Sequence, residues 1–81
     1  MTQYHIHHAT GESRFTETEI QPRIYAGFVE AESLDAAYAA SQNFNQPWNP
    51  TNPCRSTSVG DVIQDDEGFH LVCNFGFRKL S

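Results

Sequence analysis

Two histidines near the start of the chain are candidate metal ligands by residue type, although their spacing matches no compact zinc signature. In "HIHH", His5 and His7 alternate, so they project from the same face of a predicted strand. Cys54, His70 or Cys73 would have to complete the ligand set. The chain has no CxxC or HExxH spacing, which would place such ligands together locally. We therefore expect exposed strand histidines and no metal site.

The two cysteines are the candidate nucleophiles. Cys73 lies in an apolar run, where burial would make its thiol inert. Arg55 follows Cys54 directly and would lower the pKa of that thiol, but no motif places a general base beside it. The chain also lacks a glycine-rich phosphate loop. We expect free thiols, no cofactor and no enzymatic activity.

Two stretches in the first half of the chain have the pattern of strands. Residues 3–8 alternate, with Tyr4 and Ile6 facing inward. Residues 23–30, "RIYAGFVE", carry apolar groups on both faces, which predicts an interior strand. Gly27 within it predicts a bulge or the close approach of another backbone. The polar segment between the strands, residues 10–22, predicts a long loop that two apolar residues fasten to the body: Phe15 and Ile20.

One segment, residues 33–43, has the pattern of a helix. Ser33 is suited to cap its first turn, and Asp35 lies near the positive end of its dipole. Asn43 is a plausible stop. The residues of one stripe recur at helical spacing: Leu34, Ala37, Tyr38 and Ser41.

The last third of the chain predicts a β-hairpin. Residues 62–64 would pair with residues 69–71 across the turn "DDEG". In front of this hairpin, "RSTSVGDVI" contains short hydroxyl residues and a Gly-Asp pair that shape the entry into the core. The alternation predicts one apolar face, which Asn74 and Gly76 could bend or split: Phe69, Leu71, Cys73, Phe75 and Phe77.

These elements together predict an α+β fold. We expect a mostly antiparallel sheet of three to five strands, with the helix at about 33–43 packed on a face and a C-terminal β-hairpin. The length of 81 residues and the aromatic content of 12% favour a single domain, residues 1–81, with a small core.

The proline-rich segment at 44–54 is the stronger candidate for a binding surface. Its prolines predict a stiff loop, and stiff loops bind at a low entropic cost. The loop and the residue after it offer four candidate partner-binding side chains: Trp48, Asn49, Asn52 and Arg55. The equally weighted alternative is that Trp48 folds back and covers the sheet as part of the core.

The charge of the chain narrows the class of partner. The formal net charge is −5, from 10 acidic and 5 basic residues, which disfavours direct binding to nucleic acid. Solubility is the simplest consequence of such a surface, but an acidic surface also attracts a basic protein. We include the acidic turn in the candidate interface: Asp65, Asp66 and Glu67. The chain has no apolar run of membrane-spanning length and no leader pattern, so we expect a cytoplasmic protein without a membrane partner.

Several short motifs resemble a group of small uncharacterised proteins of phages, plasmids and bacterial genomes. The resemblance rests on "YHIHHAT" at 4–10, "PWNPTNPCRSTSVGDVI" at 47–63 and "GFHLVCNFGFRKL" at 68–80. The end of the chain also resembles the YodL-like domain, through residues 56–62 and the pair Gly76-Phe77. This chain departs from the group in its shorter loop between Pro50 and Arg55. The resemblance implies a mobile-element context in a bacterial host and no particular activity.

These observations lead to two hypotheses. The first is a non-enzymatic protein-binding domain that inhibits a basic host protein or complex, such as a CRISPR or restriction system. The alternative is a small-ligand or nucleic-acid-binding module, because Gly-Asp-Val before a strand also occurs in small β-barrels that bind RNA. A basic face would distinguish the second from the first.

Overall fold

The computed structural model describes residues 1–80 and has the predicted α+β fold. Its elements are β1 (Thr2–Ala9), β2 (Arg23–Ala31), α1 (Leu34–Ala40), β3 (Val62–Asp65), β4 (Gly68–Val72) and β5 (Phe77–Lys79). The strands form one antiparallel sheet in the order β2-β1-β3-β4-β5. The hairpin of β3 and β4 is confirmed, with Val62 opposite Leu71 and Gln64 opposite Phe69.

The prediction that residues 23–30 form an interior strand is wrong, because β2 lies at the edge of the sheet. β1 pairs with β2 on one side and with β3 on the other, so β1 takes the more central position. The apolar residues of β2 are therefore not all buried. Ile24 and Phe28 are 61% and 52% exposed, whereas Ala26 is buried. A pattern with apolar residues on both faces does not distinguish an inner strand from an edge strand with exposed rings.

The helix is confirmed but is shorter than predicted. The Ser33 side chain accepts a hydrogen bond from the backbone N–H of Ala36, and Ser41 terminates the helix. The carbonyl of Ser41 then accepts the N–H of Thr57, which ties the end of α1 to the segment before β3. This tertiary contact ends the helix before Asn43. No helix in residues 1–80 is long and apolar enough to cross a membrane.

The core lies between α1 and one face of the sheet. It is built around Ile6 and Ile63 from the central strands and Ala37 from the helix, all fully buried. The small Ala37 side chain permits the helix to lie close to the strands. Partly buried side chains from the helix, the proline-rich loop and β5 surround this centre: Leu34, Tyr38, Trp48 and Phe77.

The prediction that alternate residues from Phe69 to Phe77 form one apolar face is wrong, because a turn interrupts this segment. The N–H of Cys73 bonds to the carbonyl of Gly76, and this turn splits the segment into β4 and β5. Beyond the turn the alternation restarts, so Phe77 packs on the core side together with Val72. Phe75, at the turn, is 97% exposed. The turn lies where Asn74 and Gly76 were predicted to bend or split the strand.

The loop at 10–22 is fastened differently from the prediction. Ile20 is 93% exposed and anchors nothing. Phe15 is half exposed, with the Arg55 guanidinium 4.8 Å from the centre of its ring. The stronger anchor is Arg23, whose guanidinium donates to the carbonyls of Thr18, Glu19 and Gly60.

Candidate functional site

A buried carboxylate organises the segment "RSTSVGDVI". Asp61 has 0% exposure and accepts four hydrogen bonds. Its Oδ1 accepts the N–H of Ala9 at 2.8 Å and Arg55 Nη2 at 2.7 Å. Its Oδ2 accepts Arg55 Nη1 at 2.7 Å and the N–H of Ser58 at 2.8 Å. This clasp is fully satisfied, so we interpret it as a structural connection between the end of β1 and the start of β3.

His8 completes the clasp. Its Nε2 lies 3.1 Å from Thr57 Oγ1 and 3.8 Å from an oxygen of Asp61. Burial lowers the pKa of His8; the charge of Asp61 opposes this effect and that of Arg55 adds to it. A hydroxyl, an imidazole and a carboxylate are also the parts of a nucleophilic triad. Thr57 is 1% exposed and His8 is 4% exposed, so no substrate reaches these groups.

Sequence reasoning missed this clasp, although both of its segments attracted attention. The two segments are "YHIHHAT" and "RSTSVGDVI", and Asp61 connects them through Ala9 and Arg55. The available signal was the inward position of His8 in the alternation of β1. The partner of that histidine lies about 50 residues away, and no local pattern identifies it.

His5 and His7 project from the face of the sheet opposite the helix. Nδ1 of His5 lies 2.9 Å from the hydroxyl of Tyr25, and Nε2 of His7 lies 3.0 Å from Oε1 of Gln64. Residues 1–80 contain no group of three or more His, Cys, Asp or Glu side chains placed to hold a metal ion. In this structure the histidines contribute hydrogen bonds and aromatic contacts.

Both cysteines are free thiols and are half-buried. Arg55 lowers the pKa of Cys54 as expected, but burial has the larger effect. Burial raises the pKa of the Cys54 thiol, and the nearby Arg55 charge offsets only part of that rise. Burial also raises the pKa of Cys73, which is less buried than its apolar neighbours predicted. A raised pKa disfavours the reactive thiolate form of both cysteines.

The proline-rich loop is held by its own polar side chains. Trp48 donates its indole N–H to the carbonyl of Arg55 at 3.0 Å, and its ring lies edge-on to His8. Trp48 is partly buried and packs against the core, in agreement with the alternative that this side chain folds back onto the sheet. Asn49 donates to the carbonyl of Ala26 at 2.7 Å, and the Asn52 side chain is exposed.

The predicted partner-binding residues thus fall into two groups. Three of them already make hydrogen bonds within the protein: Arg55, Trp48 and Asn49. Their role in partner binding stays a prediction. Asn52 lines a groove of about 460 Å³ between the loop and β2, beside Tyr25 and Phe28.

The acidic turn between β3 and β4 has one engaged and two free carboxylates. Asp65 Oδ1 lies 3.1 Å from His70 Nε2 and accepts the N–H of Glu67. Burial would raise the pKa of Asp65, but these hydrogen bonds together lower it. Asp66 and Glu67 are exposed, and no ion pair within residues 1–80 includes them. The structure does not bring this turn together with the proline-rich loop into one site.

The face of the sheet opposite the helix carries rings that sequence reasoning did not select. Tyr25 and Phe28 are each 52% exposed and Phe69 is 39% exposed. All three lie beside His5 or His7, with ring centres 5.5–6.1 Å apart. Strict alternation would place Tyr25 and Phe28 on opposite faces of β2, and the bulge at Ala26 brings both rings to the face of the histidines. Comparison of the chain with protein-family models, curated proteins and solved structures finds no match, so proposals about function depend on the geometry.

Proposed function

We propose that the protein is a small non-enzymatic domain that binds a basic partner protein. The observation that carries the proposal is the unequal use of charge. Six of the ten carboxylates are exposed and have no ion pair or side-chain hydrogen bond within residues 1–80: Glu12, Glu30, Glu32, Asp35, Asp66 and Glu67. These carboxylates are available to a partner.

The basic side chains, in contrast, are engaged within the protein. All four arginines donate to carbonyl or carboxylate oxygens of the chain: Arg14, Arg23, Arg55 and Arg78. Lys79 alone among the basic residues has no such bond within the described part of the chain. The charge offered to a partner is therefore acidic, which favours a basic protein and disfavours nucleic acid as the ligand.

The free carboxylates concentrate at one end of the sheet. β2 ends beside the start of β1, where Glu30 pairs with Gln3. The β3–β4 turn lies at the same end, because it follows Gln64, which pairs with His5 near the start of β1. We call this region the acidic end and define it by four residues: Glu30, Glu32, Asp66 and Glu67. A concentrated patch steers a basic partner more effectively than the same charges spread over the surface.

The class of partner follows from this chemistry. Basic surfaces are typical of proteins that process nucleic acid. We propose inhibition of a host nuclease or defence complex, of the CRISPR or restriction type, in the bacterial cytoplasm. The resemblance to mobile-element proteins motivates this cellular context, and the acidic end supports the charge of the partner.

A capture experiment tests the proposal. A bacterial lysate is fractionated on heparin, and the immobilised protein is offered the retained basic fraction and the unretained fraction separately. We expect a discrete protein or complex from the retained fraction, lost as salt rises from about 50 to about 300 mM. Its association rate should then fall with Glu67→Gln and stay within error for Glu12→Gln, the same change at the opposite end of β1. Capture from the unretained fraction alone, or equal effects of the two variants, would contradict the proposal.

One observation favours the alternative, a small-ligand or nucleic-acid module. The exposed rings on β1, β2 and β4 lie on an open sheet face, as do the stacking platforms of single-strand-binding domains. Next to them is a groove of about 290 Å³ lined by His7, Arg23, Val62, Phe69 and Leu80. The lack of a free basic stripe makes this the second candidate.

A further inference from the structure

Five rings form a continuous row on the sheet face opposite the helix. We call it the aromatic row, and in spatial order it consists of Phe28, His5, Tyr25, His7 and Phe69. Neighbouring ring centres are 5.5–6.1 Å apart. The Phe and Tyr rings are partly exposed, so a ligand has access to π-surface along the row.

The pairing register explains why these rings align. His5 lies directly opposite Phe28, and His7 lies directly opposite Tyr25. Across the other side of β1, His5 pairs with Gln64, which pairs with Phe69. Residues that are directly opposite on antiparallel strands project from the same face, so the row is a product of the sheet itself. A row on paired strands is rigid, which reduces the entropic cost of binding.

Two hydrogen bonds restrict the rings further. The bond between His5 and the Tyr25 hydroxyl joins two members of the row, and His7 bonds to Gln64 beside it. These bonds orient both imidazoles while the faces of Tyr25 and Phe28 stay exposed. The row is therefore preorganised in the absence of a ligand.

The charges around the row favour a cation. Glu30 lies two residues after Phe28 on the same face of β2 and has no ion pair within residues 1–80. Gln64, which pairs with His5 and with Phe69, leads directly into the acidic turn. The two arginines that share this face are already engaged: Arg23 with backbone carbonyls and Arg78 with Glu19. Aromatic faces are electron-rich, so rings and carboxylates here attract the same kind of group.

We propose that the aromatic row binds arginine side chains of an extended, arginine-rich segment of a partner protein. This inference depends on the proposed function and identifies the surface and the chemistry of its ligand. Guanidinium groups stack flat on ring faces and also pair with carboxylates, whereas lysine ammonium groups are more strongly hydrated and do not stack. Arginines on one side of an extended segment would reach successive rings, and Glu30 would pair with one of them.

The test uses octa-arginine and octa-lysine peptides as probes and the intact protein, with affinity measured by calorimetry at about 150 mM salt. We expect octa-arginine to bind several-fold more tightly than octa-lysine. Tyr25→Ala and Phe28→Ala should each weaken octa-arginine binding about 2–5-fold, the effect of one exposed cation–π contact. Phe28→Leu should have the same effect, because it keeps apolar area but removes the π-face.

Two matched controls separate the row from general aromatic or structural effects. Phe44 and Phe75 are 81% and 97% exposed and lie outside the row, so Phe44→Ala and Phe75→Ala should leave octa-arginine affinity unchanged. Circular dichroism and the urea midpoint of each variant identify any that misfold. Phe28→Leu preserves an apolar side chain at the exposed site and provides the measurement if the alanine variant is unstable.

Two outcomes would overturn the proposal. Equal affinity for the two peptides, with no effect of Tyr25→Ala or Phe28→Leu, would exclude arginine stacking. In that case the acidic-end proposal survives if Glu67→Gln still slows association of the captured partner. Tight binding of a single-stranded oligonucleotide that Phe28→Ala abolishes would assign the row to bases and would also contradict the proposed function.

Discussion

At the residue scale, the side chains with the most reactive combination are used for structure. Asp61 holds Arg55, Ser58 and Ala9 together and lies 3.8 Å from His8, yet all of these contacts are internal to the fold. A buried carboxylate is tolerated because every strong acceptor position is filled by a donor, including a bidentate guanidinium. The clasp joins segments that are 46–52 residues apart in the chain.

The first prediction concerns this carboxylate. Asp61→Asn should lower the free energy of unfolding by about 3 kcal/mol, because it leaves the Arg55 guanidinium partly buried without its counter-charge. The amide also replaces one accepting oxygen by an NH2 donor, which then faces the N–H of either Ala9 or Ser58. Urea denaturation gives the measurement. Asp66→Asn, the same change at an exposed site, should stay within about 0.5 kcal/mol of the parent.

The second prediction concerns pH. Burial lowers the pKa of His8 below its ordinary value of 6.5, so the native state binds fewer protons than the unfolded state below that pH. The contribution of His8 to stability is therefore complete above pH 6.5 and is lost as the pH falls toward the lower pKa of the folded protein. We expect the free energy of unfolding to decrease between about pH 7.5 and about pH 5, by at most about 1.4 kcal/mol per pH unit from this group.

Variants identify the group responsible for that pH dependence. His8→Gln should flatten the dependence between about pH 5 and about pH 7.5, because glutamine does not titrate. His5→Gln removes a histidine from the open face and should leave the dependence in place. A slope that survives in His8→Gln and disappears in His5→Gln would show that the clasp is not the source.

At the element scale, β2 is an edge strand that the proline-rich loop partly covers. Between Ile6 and His7 the register of β1 and β2 shifts, which leaves Ala26 as the extra residue of a bulge. The carbonyl of Ala26 accepts the Asn49 side chain, so the loop satisfies a backbone group at the exposed edge. Bulges and covered carbonyls both reduce unwanted pairing with another chain.

The third prediction tests this contact through Gly27. Its φ of +140° is unfavourable for any other residue, and a Cβ would also collide with Asn49 and approach Trp48. Gly76 has a φ of +75°, but a Cβ at this position would meet no heavy atom within 4 Å. Substitution of Gly76 by alanine therefore has a backbone conformational cost and no steric clash. Gly76→Ala should cost about 1 kcal/mol of unfolding free energy, and Gly27→Ala should cost clearly more. Equal thermal midpoints for the two variants would mean that the loop does not pack tightly on β2.

At the scale of the whole molecule, the arginines act mainly as internal connectors and the carboxylates remain outside. The ion pairs of Arg55 with Asp61 and of Arg78 with Glu19 each remove one charge of either sign, and the free carboxylates still dominate a surface with a formal net charge of −5. Proteins that bind nucleic acid release counterions through free Lys and Arg, and this surface offers few.

The fourth prediction follows from that surface. A fluorescein-labelled oligo(dT) of about 20 nucleotides should show no change in polarisation with the protein at about 150 mM salt, because Arg23, the basic residue beside the exposed rings, is engaged with backbone carbonyls. The measurement is repeated at about 20 mM salt to detect weak electrostatic binding. Micromolar binding at the higher salt would favour the nucleic-acid module over the protein-binding domain.

The sequence by itself determined the local features of this protein. Alternation located β1 and the β3–β4 hairpin, and the Ser33 cap with the apolar stripe located the helix. Gly27 indicated a bulge or the close approach of another backbone; the bulge lies beside it at Ala26, and the groups that approach it are the side chains of Asn49 and Trp48. These features are predictable because each arises from interactions among residues within one or two turns or one hairpin. The net charge, which needs no structure, is the basis on which a basic partner is proposed.

Only the tertiary structure decided which elements became neighbours. β2 is an edge strand because β1 pairs with β3 as well, and nothing in residues 23–30 encodes that choice. The Asp61 clasp and the aromatic row each combine residues from distant strands, so neither has a local signature. The same holds for Arg55 and Arg78, whose acceptors at Ala9 and Glu19 lie far along the chain. Pairing between remote segments is selected by the packing of the whole sheet against the helix, and that energy is not readable from any short window of the sequence.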